Sequence, residues 1–146
     1  MSASNSFETE LLLLMFNNTN IANIGDATGL RGSSTAGSFY ISLHTADPAE
    51  AGTAVTSEAT YTGYARVAVA RSSAGFTIAT NTVSNAAAVT FANCTAGSNT
   101  ITHFGIVQNS SGAGELYLSG ALTASLAVSN GVTPSFLIGS LTVTVD

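Results

Sequence analysis

Two periodicities divide the chain. In the segment "NSFETELLLLMF", residues 5–16, Phe7, Leu11, Leu14 and Met15 fall at helical spacing. Leu12, Leu13 and Phe16 widen that stripe beyond the one apolar face of a surface helix, so the pattern predicts a helix covered on more than one side, by a sheet and by a neighbouring subunit. Asn5 is the expected cap, with Glu8 closing a capping box. The run Asn17, Asn18, Thr19, Asn20 is expected to end the helix, and residues 25–37, rich in glycine and small polar residues, read as a loop. Beyond residue 37 the period falls to two. Phe39, Ile41 and Leu43 alternate with Tyr40, Ser42 and His44. A strand over 61–71 is predicted, with Ala65, Val67 and Val69 on one face. Shorter strands follow at Phe76, at Val89, over 100–108, over 115–119, around Leu122 to Val128, and at Leu141, Val143 and Val145. "NSSGAG", residues 109–114, reads as a hairpin turn. The expected fold is mainly β: an antiparallel β-sandwich, jelly-roll-like, of about eight strands, with one N-terminal amphipathic helix. The expected organisation is a helix and flexible loop over 1–37 and a sandwich domain over 38–146.

Charge changes this picture. Charged residues make up 8% of the chain, against about 25% in an average protein. There is no lysine, and three arginines (Arg31, Arg66, Arg71) stand against eight carboxylates, for a net charge of −5. Nucleic-acid binding needs clustered cations that release counterions, so it is excluded, and an acidic chain is a poor partner for anionic lipid. A surface of Ser, Thr, Asn and Ala suits a protein packed against other subunits. The apolar run from Leu11 to Phe16 is far short of the ~20 residues of a membrane span. It also lacks a signal peptide's basic leader, so it is expected to belong to the mature fold. A single cysteine, Cys94, permits no intrachain disulfide and reads as a small buried residue.

Candidate chemistry is sparse. His44 and His103 sit at strand positions and could face each other across a sheet. Even with Asp47 they do not make a zinc spacing. Asp47, Glu50 and Glu58 are the densest carboxylate group, but the chain lacks tryptophan for a sugar cleft, a calcium-loop pattern and a serine-nucleophile elbow. Neither a catalytic residue nor a cofactor or metal site is expected. Asp47-Pro48 instead starts a turn: the carboxylate accepts backbone N–H groups and proline pre-sets the next φ. With so few cations, Arg66 is expected to pair with Asp47 or Glu58 and pin the long loop between the first two sandwich strands.

"FYISLHTADPAEAG" (39–52) followed by "EATYTGYARVAVAR" (58–71) resembles a family of small tailed-bacteriophage virion proteins with L-x-T-A-D-P-G-E-A-G-like and G-Y-A-R segments. "ITHFGIV" (101–107), "SGAGELYLSGAL" (111–122) and "GVTPSFLIGSLTVTVD" (131–146) are similar to its later strands. Ala49 departs from the pattern, standing where glycine is common. The resemblance implies a non-enzymatic structural protein of the virion, assembled in the host cytoplasm. The main expectation is a capsid decoration or cement protein bound to the major capsid protein. The alternative is a tail fibre, collar or baseplate piece among tail proteins, with a host-glycan adhesion module as a further option. A homo-oligomer, with a trimer as the guess, goes with this reading. The interaction candidates are Phe7, Leu11, Leu14 and Met15 on the helix, and Asp47, Pro48, Glu58 and Arg66 in the loop. On this view, removing residues 1–16 abolishes attachment and leaves the sandwich folded.

Overall fold

A computed structural model describes residues 3–26, 29–30, 32 and 34–145. Among them are one helix, α1 (Asn5–Asn17), and the strands β1 (Ile21–Asp26), β2 (Gly29–Leu30), β3 (Ser38–His44), β4 (Val67–Ala70), β5 (Phe76–Ala79), β6 (Thr82–Asn85), β7 (Val89–Thr90), β8 (Asn99–Val107), β9 (Leu116–Val128), β10 (Ser135–Phe136) and β11 (Thr142–Thr144). The fold is therefore mainly β with a single N-terminal helix, as the periodicity predicts. Strand order is β4-β3-β8-β9 in the largest sheet and β11-β6-β5 in the next, and β1-β2 and β10-β7 form two-stranded pairs. The β1-β2, β3-β8, β8-β9, β5-β6 and β6-β11 pairs are antiparallel. The chain forms two compact units, one from residues 1–38, 69–88 and 136–146, the other from 39–68 and 89–135.

In the first unit α1 packs on β5 and β6. Ser4, not Asn5, is the cap: its hydroxyl accepts from the Phe7 N–H at 3.4 Å and its carbonyl from the Glu8 N–H at 3.0 Å. A serine one position earlier does the same job as asparagine, and it moves the third helical position from Glu8 to Phe7, so the predicted capping box does not form. At the far end Asn18 turns left-handed at φ 56°, and the Thr19 N–H reaches back to the Leu13 carbonyl at 3.0 Å. The inward line is Glu8, Leu12 and Phe16, all buried, four residues apart. Phe16 meets Phe76 edge-on, with ring centroids 5.0 Å apart. Phe7 and Leu11 point outward, and Leu14 and Met15 are half-buried.

Arg71 closes the helix C-terminus. Its Nε donates to the Met15 carbonyl at 2.7 Å and its Nη2 to that of Leu14 at 3.0 Å, while Nη1 reaches the Ala36 carbonyl at 3.0 Å. The last turn of α1 has no cation of its own, so a distant arginine supplies the charge that orphan carbonyls favour. Deleting residues 1–16 would remove Leu12 and Phe16 from the core and two of Arg71's carbonyl partners. Such a truncation is therefore expected to destabilise the remainder rather than leave it intact.

In the second unit β3 and β8 form the buried centre. Ile41, Leu43, Ile101, Ile106 and Val107 are each 2% exposed or less. The predicted strand over 61–71 shrinks to its last third: a turn closes from the Tyr64 N–H to the Tyr61 carbonyl at 3.0 Å, and Gly63 takes φ 100°. Tyr61 and Tyr64 consequently leave the strand pattern and pack edge-on at 5.4 Å, with Tyr64 stacked on Phe91 at 6.2 Å. The two predicted strands over 115–128 are one long strand, β9. Its register shifts where Ile101 pairs with Leu126 but His103 with Ala121, so residues 122–125 bulge opposite Thr102.

Candidate functional site

The motif "TADPAEAG" folds as a turn. Asp47 Oδ1 accepts the Ala49 N–H at 2.9 Å, Pro48 is buried, and the Gly52 N–H donates to the Ala49 carbonyl at 3.1 Å. Ala49 itself has φ 57°, the left-handed conformation that glycine adopts freely. A Cβ on Gly52 would lie 2.2 Å from the Pro48 carbonyl oxygen, so that glycine is required by close approach. The sequence pattern thus encodes a backbone shape.

Arg66 is the hub behind this turn. Its side chain is 2% exposed. Nε and Nη2 grip Glu58 Oε1 and Oε2 at 2.6 and 2.8 Å, a bidentate fork. Nη1 donates to the carbonyl and the Oδ1 of Asn109 at 2.9 and 2.8 Å, and Nη2 also reaches the carbonyls of Ala54 (3.2 Å) and Gly112 (2.9 Å). Tyr64 donates its hydroxyl to Glu58 Oε1 at 2.9 Å and accepts the Leu43 N–H at 3.1 Å. The hydrogen-bonded Glu58 carboxylate raises the Arg66 pKa further, and burial pushes the Tyr64 phenol well up. Of the two predicted partners Glu58 is therefore the one engaged, and Asp47 serves its own turn through Oδ1. Sequence reasoning missed the second half of the hub, the 109–114 hairpin. The signal for it was the Asn opening that hairpin, whose Nδ2 also ties down the carbonyls of Ser111 and Ala113.

The histidines do stand opposite each other, as register partners on β3 and β8. His44 is fully buried. Its Nδ1 lies 2.8 Å from the Thr56 carbonyl and its Nε2 2.8 Å from the Ser42 hydroxyl. A carbonyl can only accept, so Nδ1 carries a proton; burial favours the neutral ring, in which Nε2 accepts from the Ser42 hydroxyl. Burial is the main cause of its lowered pKa. A Cβ on Gly105 would sit 2.6 Å from Ser42 Oγ and 2.8 Å from His44 Nε2, so a glycine opposite makes room for the pair. The pairing has the distance of a nucleophile and its base, but both residues are at 0% exposure and no substrate reaches them. Among the described residues no group of three His, Cys, Asp or Glu side chains is placed to hold a metal ion. Cys94 is buried, its thiol directed at the Ala96 and Gly97 carbonyls at 3.4 and 3.6 Å.

An open groove of about 580 Å³ lies beside β9. It is lined by Asp47, Ala49, Glu50 and His103 and by residues 116–121. Tyr117 is held there by an edge contact with Phe39, centroids 5.5 Å apart. No helix of the described residues is long and apolar enough to cross a membrane.

The features that distinguish this chain are shape-determining turns, a buried arginine hub and exposed apolar positions, the marks of a protein that works by contact. They agree with the class to which the comparison assigns it, the structural proteins of the phage virion. A family model described as "Podophage GP4 fiber I protein gp80" matches residues 2–144, and the chain belongs to that family. No curated relative matches the sequence.

Proposed function

We propose that the protein is a fibre component of a phage particle, held in place by contacts with other tail proteins. The observation that carries this reading is the family match, which runs from residue 2 to residue 144 and so takes in both compact units. No feature of the fold favours a coat on the head over a fibre, and the expectation of a decoration protein gives way to it. The outward face of α1 supports the contact role. Phe7 at 40% and Leu11 at 37% exposure sit one helical turn apart, on a helix whose opposite face already fills the core. Leu137 and Ile138, at 72% and 70% exposure, add a second apolar projection.

The test is location and copy number in purified virions. Antibody labelling at the tail, with a copy number matching tail proteins, is the expected result. Labelling spread over the head at the copy number of the coat would overturn it. Phe7→Ser with Leu11→Ser should leave the melting temperature unchanged and reduce incorporation into particles.

A further inference from the structure

Strand β9 is an edge: among the described strands it pairs with β8 alone. Natural proteins blunt such edges with lysine, proline or inward-pointing charge. The thirteen residues of β9, "LYLSGALTASLAV", contain none of these. Its protective devices are two bulges, one at 122–125 and one at Tyr117, where Ile106 pairs with Leu118 but Val107 with Leu116; between them 118–121 keeps a regular register. Over 116–121 no residue is fully buried: Leu116, Leu118 and Gly120 are half-buried and Tyr117, Ser119 and Ala121 are exposed. The groove is lined by all six of these consecutive residues. The groove therefore runs along this segment of β9 and also reaches His103 of β8. Its other wall carries Asp47 and Glu50, both exposed, and no lysine or arginine lines it.

We propose that this groove receives an extended segment of a partner protein, which adds a strand to β9 and places a basic side chain against Asp47 and Glu50. Backbone donors and acceptors of the free edge supply the pairing, and the two carboxylates select the charge. A second copy of this chain is the poorer occupant. Two-fold pairing of β9 with itself brings the same acidic loops together. The chain has no lysine to relieve them, and Arg66 and Arg71 are committed inside the fold. The inference stands on the groove alone and does not depend on where the protein sits in the particle.

The test uses the full chain, labelled with ¹⁵N, and three synthetic octapeptides of alternating Thr and Val: one with a central Arg, one with a central Glu, and the Arg peptide with N-methylated alternate amides. The Arg peptide should shift the amide signals of residues 116–121. The Glu peptide should bind about tenfold more weakly or worse, and N-methylation should abolish binding. Asp47→Asn with Glu50→Gln should lower affinity for the Arg peptide by about tenfold at an unchanged melting temperature. Asparagine keeps the acceptor that the Asp47 turn needs. Equal binding of the Arg and Glu peptides would overturn the proposal, as would shifts that avoid β9 or no binding at millimolar peptide. A dimer of the free chain that Ser119→Pro dissociates would give the edge to a second copy and overturn it as well.

Discussion

Replacing Arg66 by alanine tests the hub most directly. The substitution removes both arms of the Glu58 fork and the bonds to the Ala54, Asn109 and Gly112 carbonyls. Breaking a buried ion pair from one side costs about 3–5 kcal/mol, because the remaining charge stays desolvated. Here Glu58 keeps the Tyr64 hydroxyl, and its side chain is 15% exposed, so some water reaches it. The lower end, about 3 kcal/mol, is the expected loss. For a chain of this size that is a fall of about 6–12 °C in melting temperature. Calorimetry and urea denaturation measure it. Arg66→Lys is the informative companion: it keeps the charge but not the planar fork, and is expected to recover less than half of the loss. A double-mutant cycle with Glu58→Gln should show strong coupling. A loss below about 1 kcal/mol for Arg66→Ala, or full rescue by lysine, would refute the reasoning, because the hub would then behave as a surface ion pair.

Ala49→Gly should stabilise the protein. The left-handed backbone at Ala49 costs an L-residue about 1–2 kcal/mol, offset in part by glycine's freer unfolded chain, about 0.4–1 kcal/mol; a rise in melting temperature is expected, and a fall would contradict the turn. Leu12→Ala should cost about 2–5 kcal/mol by opening a cavity under α1, read by urea denaturation, whereas Phe7→Ser should cost about 0.5 kcal/mol or less. Acid should weaken the fold through His44. Its native pKa lies below the unfolded value of 6.5, so the unfolded chain binds more protons between the two values. Stability should be flat above pH 6.5 with respect to this group and fall as pH drops from there toward the lowered native pKa. NMR of the imidazole signals, followed alongside stability, checks that the ring stays neutral through that window.

Much of this was legible in the sequence because it is local. The period-two runs at Phe39, Ile41 and Leu43 and at Ile101 to Val107 became the buried strands. The scarcity of cations was enough to narrow the partner of Arg66 to Asp47 or Glu58, and the structure selects Glu58. What escaped was non-local. Nothing near residue 14 announces that Arg71 will cap the helix, and nothing near Arg66 announces the 109–114 hairpin. The outward turn of Phe7 and Leu11 was hidden for another reason: a helix apolar nearly all round does not say which side meets its own core. The strand over 61–71 was overpredicted because apolar alternation continued through a segment whose backbone is committed to a turn at Gly63.

The commitment of the arginines has a consequence for durability. Trypsin cuts after lysine or arginine, and this chain offers it no lysine and three arginines. Two of those have their guanidinium groups bound within the fold, Arg66, which is buried, to Glu58 and carbonyls, and Arg71, which is half-buried, to the carbonyls that end α1. A protease that recognises its target by an extended cation must first break these hydrogen bonds to reach either site. For a member of a phage fibre family, the same economy of charge that builds the hub also hides places where trypsin-like enzymes begin.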